Sequence, residues 1–417
     1  MEASNILKAR EERIKIIKKD IDKYQIISVH ANIKGNDKNT KEAYLLVNHF
    51  SRLIMDFNPS NYLIKESDDG IYYLFYFDNN KNLKEECIEI EENDKLGRFI
   101  DLDVFYYNDK SESRNTLRKC FICNQPAFVC ARLNSHTDNE INGYIKINVL
   151  KYMKDLITKF AGEAILKELN LEPKFGLVCK NYKSSHKDMN YDIMMKAKNA
   201  IEGEFYSFFE LAYLNDDIQF IKKEMRNIGK DIEKKMLIAT NNVNAYKGLI
   251  FNLGLIICSL ALKLKSNTAL SIFEYVQILA CGITEELKEG RDTFGKRAYQ
   301  EYGILGARGE AENGFKNLRD CMNLYNLDAD LISALVYLII NIEDTTLLKR
   351  CKNIEKYNYI KKEFKENKDY DYLNDLCLKE NLSFGGAADL LILGCFLKEM
   401  NKIFELGIEE NYERNKS

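Results

Sequence analysis

The chain has no tryptophan and only 3 prolines among 417 residues, and its 61 Lys and Arg nearly balance 64 Asp and Glu for a net charge of -3. The missing basic excess argues against a nucleic-acid binder, which neutralises phosphates with Lys and Arg. A long hydrophobic run is also missing. The longest, residues 248–264, is interrupted by Asn252, Ser259 and Lys263. A membrane span needs about 20 mostly apolar residues, so this run reads as a buried helix. The opening MEASNILKAREERIK has no apolar signal core, so export is not expected. Neither a Pro/Ser linker nor an internal repeat divides the chain. Its scarcity of Pro and Trp, beside abundant Lys, Asn, Ile and Tyr, points to codon usage rather than function.

Enough apolar residues remain for real cores: 46% are hydrophobic, and the 30% that are charged carry both signs, so disorder is not expected. At about 150 residues per domain, two or three domains are anticipated. The 11 cysteines are scattered in a chain without an export signal. They read as reduced thiols, and any cluster among them as metal-binding rather than disulfide-bonded. A cytoplasmic protein with no membrane partner is expected.

The patterning changes near residue 150. Before it, residues 5–24 and 43–57 have helical period, while 26–33, 72–77, 87–90 and 99–107 read as strands. This predicts a small α+β N-terminal domain over 1–149. Beyond it, residues 150–169, 217–239, 246–264, 272–289, 329–342, 370–380 and 387–406 have helical period. Loops are expected at 172–190, 240–245, 303–314 and 383–386. This predicts an all-α C-terminal domain over 150–417, and a multidomain fold overall.

Three motifs in the first half carry chemistry. In Gly97-Arg98-Phe99-Ile100-Asp101-Leu102-Asp103-Val104, strand geometry puts Asp101 and Asp103 on one face. Paired carboxylates suit Mg²⁺, a hard cation often shared with substrate phosphates; an exposed strand face is the plainer explanation. Cys120-x2-Cys123-x6-Cys130-x5-His136 offers the thiolate and imidazole ligands of a tetrahedral zinc site, with incidental thiols as the other reading. Asn32-x2-Gly35-x2-Lys38 follows the first strand. There backbone N–H groups and Lys38 could meet a phosphate, although most such loops are only turns.

In the second half, Ser185-His186-Lys187-Asp188-Met189 leads into a helix. His186 and Lys187 could meet phosphate, and Asp188 could bind a cation or, more commonly, cap the helix. Asn244-x2-Lys247-Gly248 precedes the most apolar helix and reads as an anion site at a helix start or as an ordinary Asn cap. The most informative stretch is Gly303-x2-Gly306-Ala307-Arg308-Gly309-Glu310-Ala311-Glu312-x-Gly314-Phe315. Its glycines allow close backbone approach to a ligand, Arg308 offers bidentate phosphate contacts, and Glu310 and Glu312 bring carboxylates. Asp344 and Asp389 each stand beside a helix boundary.

Taken in order, the first-half motifs with Ser113-Arg114 and Arg118-x-Cys120-x2-Cys123-x2-Pro126-Ala127-x2-Cys130-Ala131-Arg132-x3-His136 resemble the citrate lyase holo-acyl-carrier synthase family. Lys34 stands where that family commonly has Pro. The second-half blocks, with Pro173-Lys174-x-Gly176-Leu177-Val178 and Gly385-Gly386-x-Ala388-Asp389-Leu390, resemble the triphosphoribosyl-dephospho-CoA synthase family. Departures are Cys179 for Asp, Asn241-Asn242 for a Gly pair, Tyr246 for His and Lys349 for His.

The resemblance implies a bifunctional transferase. Its second half would join ATP and 3′-dephospho-CoA and release adenine. Its first would load the product onto a Ser of the apo acyl-carrier (gamma) subunit of citrate lyase, with loss of pyrophosphate. On that reading Asp101 and Asp103 hold Mg²⁺ in the first half. Asp188, Asp344 and Asp389 hold it in the second, and Glu310 and Glu312 lie near the ribose. Lys38, Arg98, Arg114, His186, Lys247, Gly306, Arg308 and Gly309 meet nucleotide or phosphate. The alternatives are a non-catalytic zinc-stabilised scaffold for a carrier protein, and the same chemistry serving malonate decarboxylase.

Overall fold

The computed structural model describes residues 2–78, 82–106, 110–111, 118–181, 184–289 and 292–408. It divides into two compact units. One comprises Met1–Asp155 with Leu264–Thr268 and Lys402–Glu405; the other comprises Leu156–Lys263, Ala269–Asn401 and Leu406–Ser417.

The first unit is built on an antiparallel sheet ordered β2-β3-β1-β4-β5, from β1 (Gln25–Ala31), β2 (Asn61–Lys65), β3 (Tyr72–Phe77), β4 (Ile100–Tyr106) and β5 (Lys110–Ser111). Its helices are α1 (Glu2–Asp20), α2 (Lys41–Met55), α3 (Leu83–Asn93), α4 (Ala127–Leu133) and, as far as Asp155, α5 (Asp138–Leu169), whose remainder belongs to the second unit. Ile17 of α1 and Ile21, just past its end, pack with Ile26, Tyr72 and Leu74 of the sheet. Helix α2 starts where the Thr40 side chain accepts the Ala43 N–H, and buries Ala43, Leu46, Val47, Phe50 and Ile54 along one stripe. Each fully buried Leu, Val, Phe or Ile side chain contributes about 1.5–3 kcal/mol.

Two first-half expectations need correction. Residues 87–90 are not a strand but lie inside α3. Glu85 and Glu86 occupy its first turn, and Leu83, Cys87 and Glu91 are buried at four-residue intervals, so the helical period prevails over the short apolar alternation. Strand β2 was not anticipated, because it is an edge strand with mostly exposed side chains and no buried face to pattern it.

The second unit is helical: α6 (Tyr191–Ile201), α7 (Tyr206–Leu214), α8 (Ile218–Ala239), α9 (Lys247–Leu264), α10 (Ile272–Ala280), α11 (Phe294–Tyr302) and α12 (Gly306–Glu312). These are followed by α13 (Lys316–Leu324), α14 (Leu331–Asn341), α15 (Thr345–Cys351), α16 (Ile354–Glu366), α17 (Tyr370–Lys379) and α18 (Gly385–Ile403). The apolar α9 is a core helix, with 83% of its length buried in the protein. The stretch 272–289 breaks after Ala280, with Gly282 at φ 80° in the turn. Residues 303–314 are not a loop throughout. Gly303 in left-handed conformation ends α11, Gly314 at φ 64° follows α12, and the helix formers Ala307, Arg308, Glu310 and Ala311 lie between.

Candidate functional sites

In the first unit, Ile100, Leu102 and Val104 of β4 are buried, which turns Asp101 and Asp103 to the other face. The register places His30 of β1 opposite Asp101. Its Nε2 lies 3.9 Å from Asp101 Oδ2 and its Nδ1 4.0 Å from Asp103 Oδ2. Burial, with Arg13 nearby, lowers the His30 pKa, so the imidazole is neutral at neutral pH. Its Nδ1 is buried without a hydrogen-bond partner among the described residues, as are Arg13 Nη1 and Ser28 Oγ. Arg118 completes the group: Nη1 is 2.8 Å from Asp101 Oδ1, and Nη2 is 2.6 Å from Oε1 of the buried Glu91. That Glu91 oxygen also accepts the Leu102 N–H at 2.9 Å. Sequence reasoning missed His30 and Glu91 as site residues, because only strand pairing and the correct helix bring them here.

Cys120, Cys123, Cys130 and His136 converge, with one ligand atom from each lying within 4.8 Å of all the others. Beside them a small hollow of about 180 Å³ is lined by Lys34, Arg98, Arg118 and Lys119 among others. Arg98 donates to the Lys119 carbonyl. Lys38 Nζ donates to the Ile33 carbonyl at 2.5 Å and closes its own loop. Arg114 lies outside the described residues.

The second unit has a cleft of about 640 Å³. Lys222, Arg226 and Lys230 from α8, Lys247 from α9 and Arg308 from α12 line it, against the carboxylates of Glu233 and Glu286. Lys247 pairs with Glu233 at 2.6 Å, and Arg226 pairs with Glu286. Arg308 and Lys230 have no charged or hydrogen-bonding partner among the described residues. Five cations against two anions, two of the cations unpaired among the described residues, give the cleft a net positive lining. The α8 cations recur every four residues, a stripe visible in the sequence but not recognised there.

Several expected ligands have other partners. Glu312 accepts the Gly282 N–H at 2.5 Å and the Thr284 hydroxyl, and Glu310 accepts from Asn317. Neither lines the cleft: Glu310, two residues on from Arg308, faces away from it, and Glu312, one turn on from Arg308, is taken up by Gly282 and Thr284. Burial raises the Glu310 pKa. Asp344 Oδ1 accepts the Thr346 and Leu347 N–H groups, and its Oδ2 those of Gly386 and Ala387. This carboxylate caps two helices rather than serving as an open cation ligand. Burial first, then Asp344 and Glu168, hold the Asp389 carboxyl well above its usual range. Asp188 is exposed, and Asn190 rather than Asp188 caps α6. His186 is held between Arg350 and Ser383.

The glycine blocks serve close packing. An added Cβ would fall 2.8 Å from Thr345 at Gly306, 2.5 Å from Leu305 at Gly309, and 2.2 Å from Asp389 Oδ2 at Gly248. Gly385 and Gly386 press likewise on Thr346 and Asp344. The starts of α9, α12, α15 and α18 are thus linked side by side, with Lys247, Gly248, Ala307, Arg308 and Thr345 on the cleft wall.

Residues 154–407 match the family described as ATP:dephospho-CoA triphosphoribosyl transferase, and residues 1–152 match that described as apo-citrate lyase phosphoribosyl-dephospho-CoA transferase. The chain is therefore a transferase with two different transferase modules. It is 30% identical over 433 residues to Protein CitXG of Leuconostoc mesenteroides subsp. cremoris, covering 90% of this chain and 91% of that protein. With Protein CitXG of Haemophilus influenzae the identity is 29% over 450 residues, covering 94% of each. With the 2-(5''-triphosphoribosyl)-3'-dephosphocoenzyme-A synthase of Haemophilus ducreyi it is 30% over 322 residues, covering 66% of this chain and 98% of that protein. The chain belongs to the CitXG family, the fusion of these two modules.

Proposed function

We propose that the second unit converts ATP and 3′-dephospho-CoA into 2′-(5″-triphosphoribosyl)-3′-dephospho-CoA and adenine. The first unit then transfers this group to a Ser of the apo acyl-carrier (gamma) subunit of citrate lyase and releases pyrophosphate. The observation that carries the reading is the cationic cleft, whose volume of about 640 Å³ falls among small-ligand sites.

In the second unit, Arg308, Lys230 and Lys222 hold the triphosphate, which is retained through the reaction. As adenine departs, the ribose C1′ becomes cation-like, and a carboxylate beside it stabilises that charge. Glu233 and Glu286 line the cleft, so the role passes to them from Glu310 and Glu312. In the first unit the Ser hydroxyl attacks the α-phosphorus and pyrophosphate leaves. Neutral His30 accepts the hydroxyl proton, and Arg118 holds Asp101 in place. Asp103 and the second oxygen of Asp101 are hard donors on one face and suit Mg²⁺, which when bound would neutralise the leaving pyrophosphate.

The test is mass spectrometry of the full chain with ATP, Mg²⁺ and 3′-dephospho-CoA, with and without apo carrier. Adenine and the triphosphoribosyl product are expected, then a carrier mass gain with pyrophosphate. Arg308→Ala is expected to lower adenine release about 100-fold. The Asp101→Asn/Asp103→Asn pair is expected to release adenine normally while loading carrier at least about 100-fold more slowly. No adenine from the wild-type chain overturns the synthase reading.

A further inference from the structure

The segment from Arg118 to His136 has little hydrocarbon at its centre. Phe128 and Leu133 of α4 are 57% and 69% exposed, whereas Cys120 and Cys130 are buried. Sulfur takes the place of a core here. The Sγ atoms of Cys123 and Cys130 are 3.3 Å apart, and His136 Nε2 is 3.2 Å from Cys123 Sγ. Four N/S donors around one Zn²⁺ at about 2.0–2.3 Å would lie about 3.3–3.8 Å from each other. Both observed separations are a few tenths of an ångström shorter than the roughly 3.8 Å of two sulfurs and 3.5 Å of a sulfur and a nitrogen on one such ion, and the four donors together lie within 4.8 Å.

The backbone is already turned for such a centre. The Ile122 N–H points at Cys120 Sγ at 3.4 Å, and the Asn124 N–H bonds the Cys120 carbonyl at 3.1 Å. Asn124 takes the left-handed conformation at φ 61°, and Asn134 does so again at φ 47° after α4. This second turn brings His136 back towards the thiols.

The same segment fixes two cations. Arg118 lies two residues before Cys120, and its carbonyl accepts the Ala127 N–H at 2.8 Å, so both strands of the turn meet at its base. Its side chain reaches Asp101 and Glu91, while Arg98 donates to the adjoining Lys119 carbonyl. We propose that Cys120, Cys123, Cys130 and His136 bind one Zn²⁺, and that this ion positions Arg118 and Arg98 beside the Asp101–Asp103 face. The second part rests on the reading of that face as the transfer site; the first does not.

The experiment is elemental analysis of full-length protein purified under reducing conditions, alongside both activities. One zinc per chain is expected. The Cys123→Ser/Cys130→Ser pair should lose it, His136→Ala should weaken it at least 10-fold in chelator competition, and His136→Cys should restore it. Zinc loss should slow carrier loading at least 10-fold and leave adenine release, which reports an intact second unit, unchanged. Chelator-treated wild-type protein should become protease-sensitive between residues 118 and 136, and added zinc should reverse this. No stoichiometric metal, a different metal, or zinc retained by the Cys pair overturns the site. Zinc lost with carrier loading undiminished overturns its positioning role. Because the metal is measured without any substrate, failure of the proposed reaction leaves that result standing.

Discussion

His186 has partners on both sides that decide its protonation. Arg350 Nη2 can only donate, so at 2.9 Å it places a lone pair on Nδ1, and the ring proton sits on Nε2 facing Ser383 Oγ at 2.9 Å. The serine receives a hydrogen bond instead of giving up its proton, so this trio is not a nucleophile with its base. Burial, then Arg350, lowers the His186 pKa from 6.5 to about 4. The unfolded chain therefore takes up this proton first as the pH falls. The stability this histidine confers is fully present above about 6.5 and is lost as the pH falls towards about 4. That loss is about 1–2 kcal/mol once solvent screening is allowed for. Urea titrations of wild type and His186→Gln across this interval should give a shallower pH slope for the variant; equal slopes would show that His186 does not titrate in it. In sequence, His186 beside Lys187 reads as a phosphate contact, because the partners that neutralise it lie far along the chain.

At the scale of elements, the joint between α15 and α18 depends on Asp344. Its Oδ1 takes two N–H groups of α15 and its Oδ2 two of α18, so one side chain satisfies donors at both helix starts. Gly386 is needed beside it, since an added Cβ would lie 3.1 Å from the Asp344 carboxyl. Asp344→Ala is expected to cost about 2–4 kcal/mol, because the donors are left buried and unpaired. Asp344→Asn, which keeps one carbonyl oxygen, should cost less. Chemical denaturation of the two variants checks this; equal losses would mean that the caps are not the source. An Asp next to a helix boundary is visible in sequence. That it caps a second helix, 42 positions away, is a matter of packing.

For the molecule as a whole, each proposed activity draws its residues from one compact unit. His30, Asp101, Asp103 and Arg118 belong to the first unit, and Lys222, Glu233, Lys247 and Arg308 to the second. The product of one reaction is the substrate of the other, and neither residue set borrows from its neighbour. Mixing Asp101→Asn/Asp103→Asn chains with Arg308→Ala chains should therefore restore carrier loading to at least about half the wild-type rate at equal active-site concentration, because the intermediate can pass through solution. Loading that stays at background in the mixture would show that the intermediate does not leave the chain that made it.

Local pattern determined much of this protein. Alternation on β4 places Asp101 and Asp103 on one face, the 3.6-residue period marks α9 and α18, and the Cys spacing foretells the convergence with His136. These follow from backbone geometry over a few residues, which sequence order specifies directly. Tertiary structure alone decided which candidate side chains remained available. It paired His30 with Asp101 across two strands, turned Arg308 into the cleft, and gave Glu312, Asp344, His186 and Lys38 to internal partners. The physical reason is that a buried polar group takes whatever hydrogen-bond partner the fold presents, and that partner can lie two hundred residues away. Residue type and spacing reveal chemical capacity, but only the packed chain shows whether that capacity is already in use.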